Sequence, residues 1–312
     1  MNLDPATADQ LRQSLATVAA VPVTPLRADG SADWDTHGRL IGRLIDTGIT
    51  LVTPNGNTGE FYTLSAAETE AAAESAIRAA QGRAEVLAGV GHDLATAARG
   101  AAHARAAGAR MIMVHQPVSP YLSADGWVDY HEAVAAAAPD LGVVLYIRDP
   151  KIGGEHIRRL GERCPNVVGV KYGVRDLVQF ATVARDAGLD RFTWLAGLAE
   201  LTAPGCWAYG ATGFTSGLAN VAPALSLALL AALRGGDTAS ARNLWQECRP
   251  FEELRAANGS ADNVSVVKEA LAQLGLARRD VRPPSRLLPE PIREQIAKIL
   301  AGWGLDAQGA PL

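Results

Sequence analysis

An apolar run, Val167-Val168-Gly169-Val170, leads into a single lysine, Lys171, and the residues after it, Tyr172-Gly173-Val174-Arg175-Asp176, read as a turn into a helix. A primary amine delivered to a strand end is partly desolvated, which lowers its pKa and leaves a free base able to attack a carbonyl and form a Schiff base. A second run, Val143 to Ile147, carries Tyr146 near its end and Arg148 just beyond it. A phenol can pass protons to and from a carbinolamine, and a guanidinium can grip a carboxylate in a bidentate pair. Between an earlier run and the next helix lies Asn55-Gly56-Asn57-Thr58-Gly59-Glu60. Its glycines let backbone N–H groups approach an anion, and Asn57 and Thr58 add side-chain donors. Amine, phenol and anion cradle together describe a site for a carbonyl compound that bears a carboxylate, with Lys171 and Tyr146 as catalytic groups and Asn57, Thr58 and Arg148 as binding groups.

Such groups must be held by a scaffold, and the chain carries a repeating one. From Val18 to about Leu233, short apolar runs alternate with amphipathic segments, as expected of strand–helix units around a parallel sheet. The strand candidates are Val18–Val23, Thr50–Pro54, Val86–Val90, Met111–Gln116, Val143–Ile147, Val167–Lys171, Phe192–Ala196 and Ala211–Thr215. Each is nearly continuous in apolar residues, as strands covered on both faces should be. Ser65-Ala66-Ala67-Glu68 reads as a capping box, Asp93 as an N-cap, and Gly48, Gly108 and Gly188 as helix ends. Eight such units predict a (β/α)8 TIM barrel, an α/β fold, and no G-x-G-x-x-G fingerprint follows the first strand to suggest a dinucleotide-binding sheet. The barrel is expected over residues 1–235. Residues 236–312 are expected to form a C-terminal helical extension, with helices around Thr238–Ala257, Val264–Leu274 and Glu290–Trp303, packed on the barrel or on a neighbouring subunit.

Bulk properties narrow the partners. At 312 residues and 48% apolar composition the chain can bury a large core. A net charge of -4 and a pI near 5.9 argue against nucleic acid or an anionic membrane as the main partner. Cys164, Cys206 and Cys248 are odd in number, widely spaced and without a C-x-x-C, so neither a disulfide framework nor a cysteine zinc site is expected, and a reducing, cytoplasmic compartment is. The N-terminal residues carry Asp4 and Asp9 and do not resemble a signal peptide, and no apolar run approaches the ~20 residues of a membrane span.

Five strings in the expected order then bear on the chemistry: Val21-Pro22-Val23-Thr24-Pro25-Leu26 with Asp29-Gly30; Gly56-Asn57-Thr58-Gly59-Glu60 leading to Leu64-Ser65; Val144-Leu145-Tyr146; Gly169-Val170-Lys171 with Asp176; and Gly213-Phe214-Thr215-Ser216 running on to Asn220-Val221-Ala222-Pro223. With these the chain resembles the pyruvate-dependent Schiff-base lyases that include dihydrodipicolinate synthase and N-acetylneuraminate lyase. The resemblance implies that Lys171 forms the imine, that Tyr146 relays its protons, and that Thr58 and the backbone near Thr215 hold the carboxylate. It also implies a homo-oligomer, a tetramer built from dimers, and no cofactor or metal.

Departures from the family pattern separate its branches. The synthase has a second hydroxyl residue where Asn57 stands, a tyrosine where Leu122 stands, and an arginine for which Lys151 is the nearest match. Asn and Leu cannot relay a proton through a hydroxyl, and Lys cannot replace a bidentate Arg. Tyr146-x-Arg148, Gly59-Glu60-Phe61, Pro120-Tyr121-Leu122 and Glu162-Arg163-Cys164-Pro165-Asn166 resemble the 5-dehydro-4-deoxyglucarate dehydratase branch more closely. That branch has Asn after the tyrosine and Asp after the lysine, where Ile147 and Tyr172 stand, so the oxo acid itself stays open. The alternatives are a synthase-type condensation of pyruvate with an aldehyde, a metal-dependent aldolase using His92 and His115 at two strand ends, and an inactive barrel that only binds an oxo acid.

Overall fold

A computed structural model describes residues 3–305. Strands β1 (Val18–Ala20), β2 (Leu51–Val52), β3 (Glu85–Val90), β4 (Met111–Val114), β5 (Gly142–Ile147), β6 (Val167–Tyr172), β7 (Thr193–Ala196) and β8 (Gly213–Ser216) pair in chain order, all parallel. β8 closes on β1 through Val18–Phe214, Ala19–Thr215 and Ala20–Ser216, so no sheet edge is left open. Every expected strand is present, with altered ends. β1 is shorter than expected because the chain leaves the ladder after Val21, whose N–H makes the last bond to Ser216 O, and Val23 N–H goes instead to the Asn220 side chain.

After an initial helix, α1 (Pro5–Leu15), each strand is followed in turn by α2 (Trp34–Asp46), α3 (Ala66–Ala80), α4 (Leu94–Ala107), α5 (Ala124–Ala137), α6 (Gly154–Arg163), α7 (Leu177–Ala187), α8 (Ala199–Ala208) and α9 (Pro223–Arg234). The start signals act as read: Ser65 and Glu68 form a reciprocal capping box on α3, and Asp93 accepts from Thr96 N–H on α4. Gly108 and Gly188 cap α4 and α7 at positive φ, where a side chain would be strained.

α1 lies outside the sequence reading, which began at Val18. Its Ala8, Leu11 and Leu15 are buried against the barrel-interior residues Leu51, Met111, Val144, Val168 and Leu195. Added Cβ atoms at Gly142 and Gly169 would come within 2.8 Å of Leu11 and Leu15, so those glycines make room for the plug. The beginnings of the barrel's interior are therefore filled by α1.

The extension forms α10 (Thr238–Ser260), α11 (Asn263–Gln273) and α12 (Glu290–Gly302). α10 leaves helical geometry at Ala257–Gly259, which ends its regular part close to the expected Ala257. Val266, Val267, Ala270 and Leu271 of α11 share one apolar core with Val23, Leu40, Leu218 and Val221 of the barrel. The extension thus sits on the barrel, over its first and last strand ends. Among the described residues no helix is long and apolar enough to cross a membrane, and all three cysteines are free and buried.

Candidate active site

Lys171 sits on β6, 3% exposed, and Tyr146 is its direct partner in the register of the neighbouring strand β5. The two side chains therefore stand side by side on adjacent strands. Lys171 Nζ lies 4.1 Å from the centroid of the Tyr146 ring. A ring face favours an ammonium by roughly 1–2 kcal/mol, but burial works the other way and wins. Burial, with the charges of Arg148 and Arg255, brings the amine down to about 7. A large fraction of Lys171 is then a free base at neutral pH.

The phenol is oriented by the loop after β2. Asn57 Nδ2 donates to Tyr146 Oη at 2.9 Å, which leaves the phenol's own hydrogen free for another acceptor. Burial pushes the Tyr146 hydroxyl up, so it stays protonated and can donate. Asn57 is thus committed to the phenol, where the sequence had assigned it to the substrate carboxylate.

The loop itself is held tightly. A Cβ on Gly59 would stand 2.5 Å from Pro54 O and 3.0 Å from Pro22 O, so only glycine fits. Glu60 follows in the left-handed region at φ 63°. That conformation costs a non-glycine residue about 1 kcal/mol, and buried contacts offset it: the Glu60 carboxylate pairs with Lys268 of α11 and accepts Arg282 N–H at 3.2 Å. The backbone N–H groups of Asn57 and Thr58 have no acceptor among the described residues, and both residues line the cavity. That is the donor arrangement a carboxylate requires.

The cavity holds about 590 Å³ at the strand ends. Lys171, Tyr146, Asn57, Thr58, Arg148 and Thr215 all line it. The Thr215 hydroxyl donates to Gly197 O at 3.4 Å, so its side chain is occupied within the wall. Arg148 is exposed at the rim, whereas Lys151 does not reach the cavity.

Three lining groups were not visible in the sequence. Arg255 and Glu252 of α10 form a buried ion pair in the wall, and Arg175 lies on the far side, bonded to Ala256 O and Ser260 Oγ at 3.1 and 3.0 Å. The signal for Arg255 would have been a charged i, i+3 pair in a helix, which is usually a surface feature. The cavity therefore presents three guanidiniums and one amine against a single carboxylate that already has a partner. Behind that wall, Glu200 is fully buried, accepts from the Ser216 and Ser226 hydroxyls at 2.6 Å each, and is raised to about 7 by burial and the Glu252 charge.

The two histidines weighed as metal ligands lie outside the cavity lining. They flank the Phe61 ring, His115 stacked at 3.7 Å and His92 at 4.6 Å between centroids. His115 Nε2 is 3.1 Å from Asn55 O, and burial holds its imidazole neutral. Among the described residues no group of three or more His, Cys, Asp or Glu side chains is placed to hold a metal ion.

The model of the dihydrodipicolinate synthetase family matches residues 14–302. Probable 5-dehydro-4-deoxyglucarate dehydratases of Ralstonia nicotianae and Bradyrhizobium diazoefficiens are each 33% identical, the first over 90% of both chains, the second over 95% of this chain and 94% of its own. The crystal structure of dihydrodipicolinate synthase from Bacillus clausii superposes with a TM-score of 0.91 at 36% identity, covering 95% of this chain and all of that one.

Proposed function

The chain belongs to the dihydrodipicolinate synthetase family and is a lyase, and from that premise we propose that it forms an imine between Lys171 and a 2-oxo sugar diacid of the 5-dehydro-4-deoxyglucarate type, then dehydrates and decarboxylates it. The observation that carries this reading is the pairing of a buried amine of depressed pKa with a protonated phenol in a cavity lined by three guanidiniums. A free amine attacks a ketone, and a surplus of cations suits two carboxylates.

In this reading the carboxylate next to the ketone rests on the Asn57 and Thr58 N–H groups and the Thr58 hydroxyl. Lys171 adds to C2, Tyr146 supplies the proton that lets the hydroxyl leave as water, and the protonated imine results. It acts as an electron sink. Loss of a C3 proton gives an enamine, which expels the C4 hydroxyl as water and leaves a conjugated iminium. The bond from C5 to the distal carboxylate then breaks, its electron pair moving through C4 and C3 to the imine nitrogen as CO2 departs. Reprotonation and hydrolysis return the amine and release a five-carbon product with an aldehyde at the former C5. Arg148, at the rim, is assigned to the distal carboxylate.

The synthase-type condensation is less well supported. Lys151, the nearest match to the synthase arginine, is away from the cavity, and Asn57 stands in place of a relaying hydroxyl. We further infer a cytoplasmic homotetramer built from dimers, supported by the family resemblance and by apolar side chains left open to solvent in one chain, Val118 at 75% and Tyr121 at 92%.

Borohydride reduction with and without pyruvate, in the presence of EDTA, tests the imine. Mass mapping should find a pyruvate-dependent adduct on Lys171. A folded protein with no adduct, or with the adduct on another lysine, would sink the proposal.

A further inference from the structure

Arg255 reaches the anion cradle from the extension, 197 positions from Thr58 in the chain. Arg255 as a whole is 6% exposed, and each terminal nitrogen has a task. Nη1 donates to the Glu252 carboxylate. Nη2 donates to Asn263 Oδ1 at 2.6 Å and to Thr58 Oγ1 at 3.3 Å. The third observation comes from the barrel: a Cβ on Gly217, just past β8, would lie 2.1 Å from Arg255 Nη2 and 2.5 Å from Cζ. Gly217 has φ -89°, open to any residue, so it is space and not backbone conformation that calls for glycine there. The guanidinium is wedged between the end of β8 and the cradle loop.

A guanidinium has no acceptor, so in the Arg255–Thr58 contact the threonine oxygen must accept. Its own hydrogen is then turned away from Arg255 and is free for an acceptor in the cavity. We propose that Arg255, its charge balanced by Glu252, is a positioning residue that fixes the Thr58 hydroxyl as a donor into the cavity, making the site selective for ketones that bear a carboxylate beside the carbonyl. The inference rests on the imine reading given above. It adds that the group orienting the cradle hydroxyl comes from α10 and not from the barrel.

The test uses the full-length protein and scores the half-saturating concentration for borohydride trapping of pyruvate, with pyruvamide as the neutral ketone. Arg255→Gln should raise that concentration for pyruvate by about tenfold and leave pyruvamide within about twofold, while Arg255→Lys recovers part of the loss. Thr58→Val should show a similar loss, and Arg255→Gln made in that background should add less than about threefold, because the two groups act as a unit. Gly217→Ala, which alters no charge, should displace the guanidinium and reproduce the pyruvate effect. If Arg255→Gln proves unable to fold, the Glu252→Gln/Arg255→Gln pair removes the stranded carboxylate and is scored in its place.

Unchanged pyruvate saturation in a folded Arg255→Gln or Gly217→Ala protein would overturn the role of Arg255, as would an equal loss for pyruvamide. Full additivity with Thr58→Val would overturn the route through the hydroxyl. No trapping by the unaltered protein would instead remove the imine reading itself, so the two failures are distinguishable.

Discussion

Lys171 and Tyr146 are register partners on adjacent parallel strands, and the amine nitrogen stands over the phenol ring at 4.1 Å from its centroid while the phenol oxygen is held by Asn57. Strand pairing alone fixes that relationship, because β5 and β6 share the most extensive ladder of the barrel and both side chains point inward. The ring fills space beneath the amine, and the hydroxyl is left for substrate.

The amine's depressed pKa predicts a pH profile. With Lys171 at about 7, imine formation at low pyruvate should rise about tenfold per pH unit below 7 and level off above it, because only the neutral amine attacks. An ordinary lysine would keep rising to about pH 10. Arg148→Met removes a nearby positive charge and should move the midpoint upward. A profile still climbing at pH 9 in the unaltered protein would contradict the buried-amine account.

Tyr146→Phe keeps the ring under Lys171 and removes only the hydroxyl. Turnover should fall by about 10²–10⁴, the usual worth of a positioned acid or base, with thermal stability close to that of the unaltered protein. Rapid-quench trapping should locate the loss in the proton-transfer steps. Turnover within about threefold of normal would show that another group or water carries the proton.

Arg148 bears no ion pair among the described residues and lies at the rim. Compared at pH 9, above the amine's midpoint, Arg148→Met should therefore raise KM for diacids by about tenfold or more and leave monoacids nearly unchanged, the signature of a lost binding contact. Steady-state kinetics on a matched diacid and monoacid decide this, and equal effects on the two would assign Arg148 elsewhere.

Glu200 gives a stability prediction. Its folded pKa, about 7, lies above the ordinary value of 4.5. The folded state thus holds a proton that the unfolded chain gives up, so this contribution is complete below about pH 4.5 and is lost as pH rises through 7. The shift corresponds to about 3 kcal/mol. Glu200→Gln should match the unaltered protein at pH 5 and melt about 5 °C or more higher at pH 8. The same difference in Tm at both pH values would mean that Glu200 does not titrate in that range.

Much of the scaffold was legible because every strand is buried on both faces and so reads as an uninterrupted apolar run, from Val143 through Ile147 or Val167 through Val170. Ser65 and Asp93 announced their helices through local hydrogen bonds, which need no knowledge of the fold. The strand-end rule likewise gathered Lys171, Tyr146, Arg148, Asn57, Thr58 and Thr215 around one cavity. What stayed hidden depends on contacts between distant segments. Arg255 meets Thr58 and Lys268 meets Glu60 across 197 and 208 positions, and neither pair has a spacing that marks it. The plug made by Leu11 and Leu15 was missed for the same reason: its apolar face has meaning only against the open end of a closed barrel.

The joint between α11 and the cradle has a bearing on how the protein is made. A ribosome would release all eight strands, with Lys171 and Tyr146 in place, well before it reached residue 268. Until then Glu60 would be a charge in a closing interior without a counter-ion, and the loop that must receive an anion would itself be carrying one. Breaking such a pair from one side costs about 3–5 kcal/mol, so the half-made chain would keep its mouth slack. Completion of the last helices and completion of the binding site are one event, and a barrel cut free at Gly236 would inherit the reactive groups without the order that makes them useful.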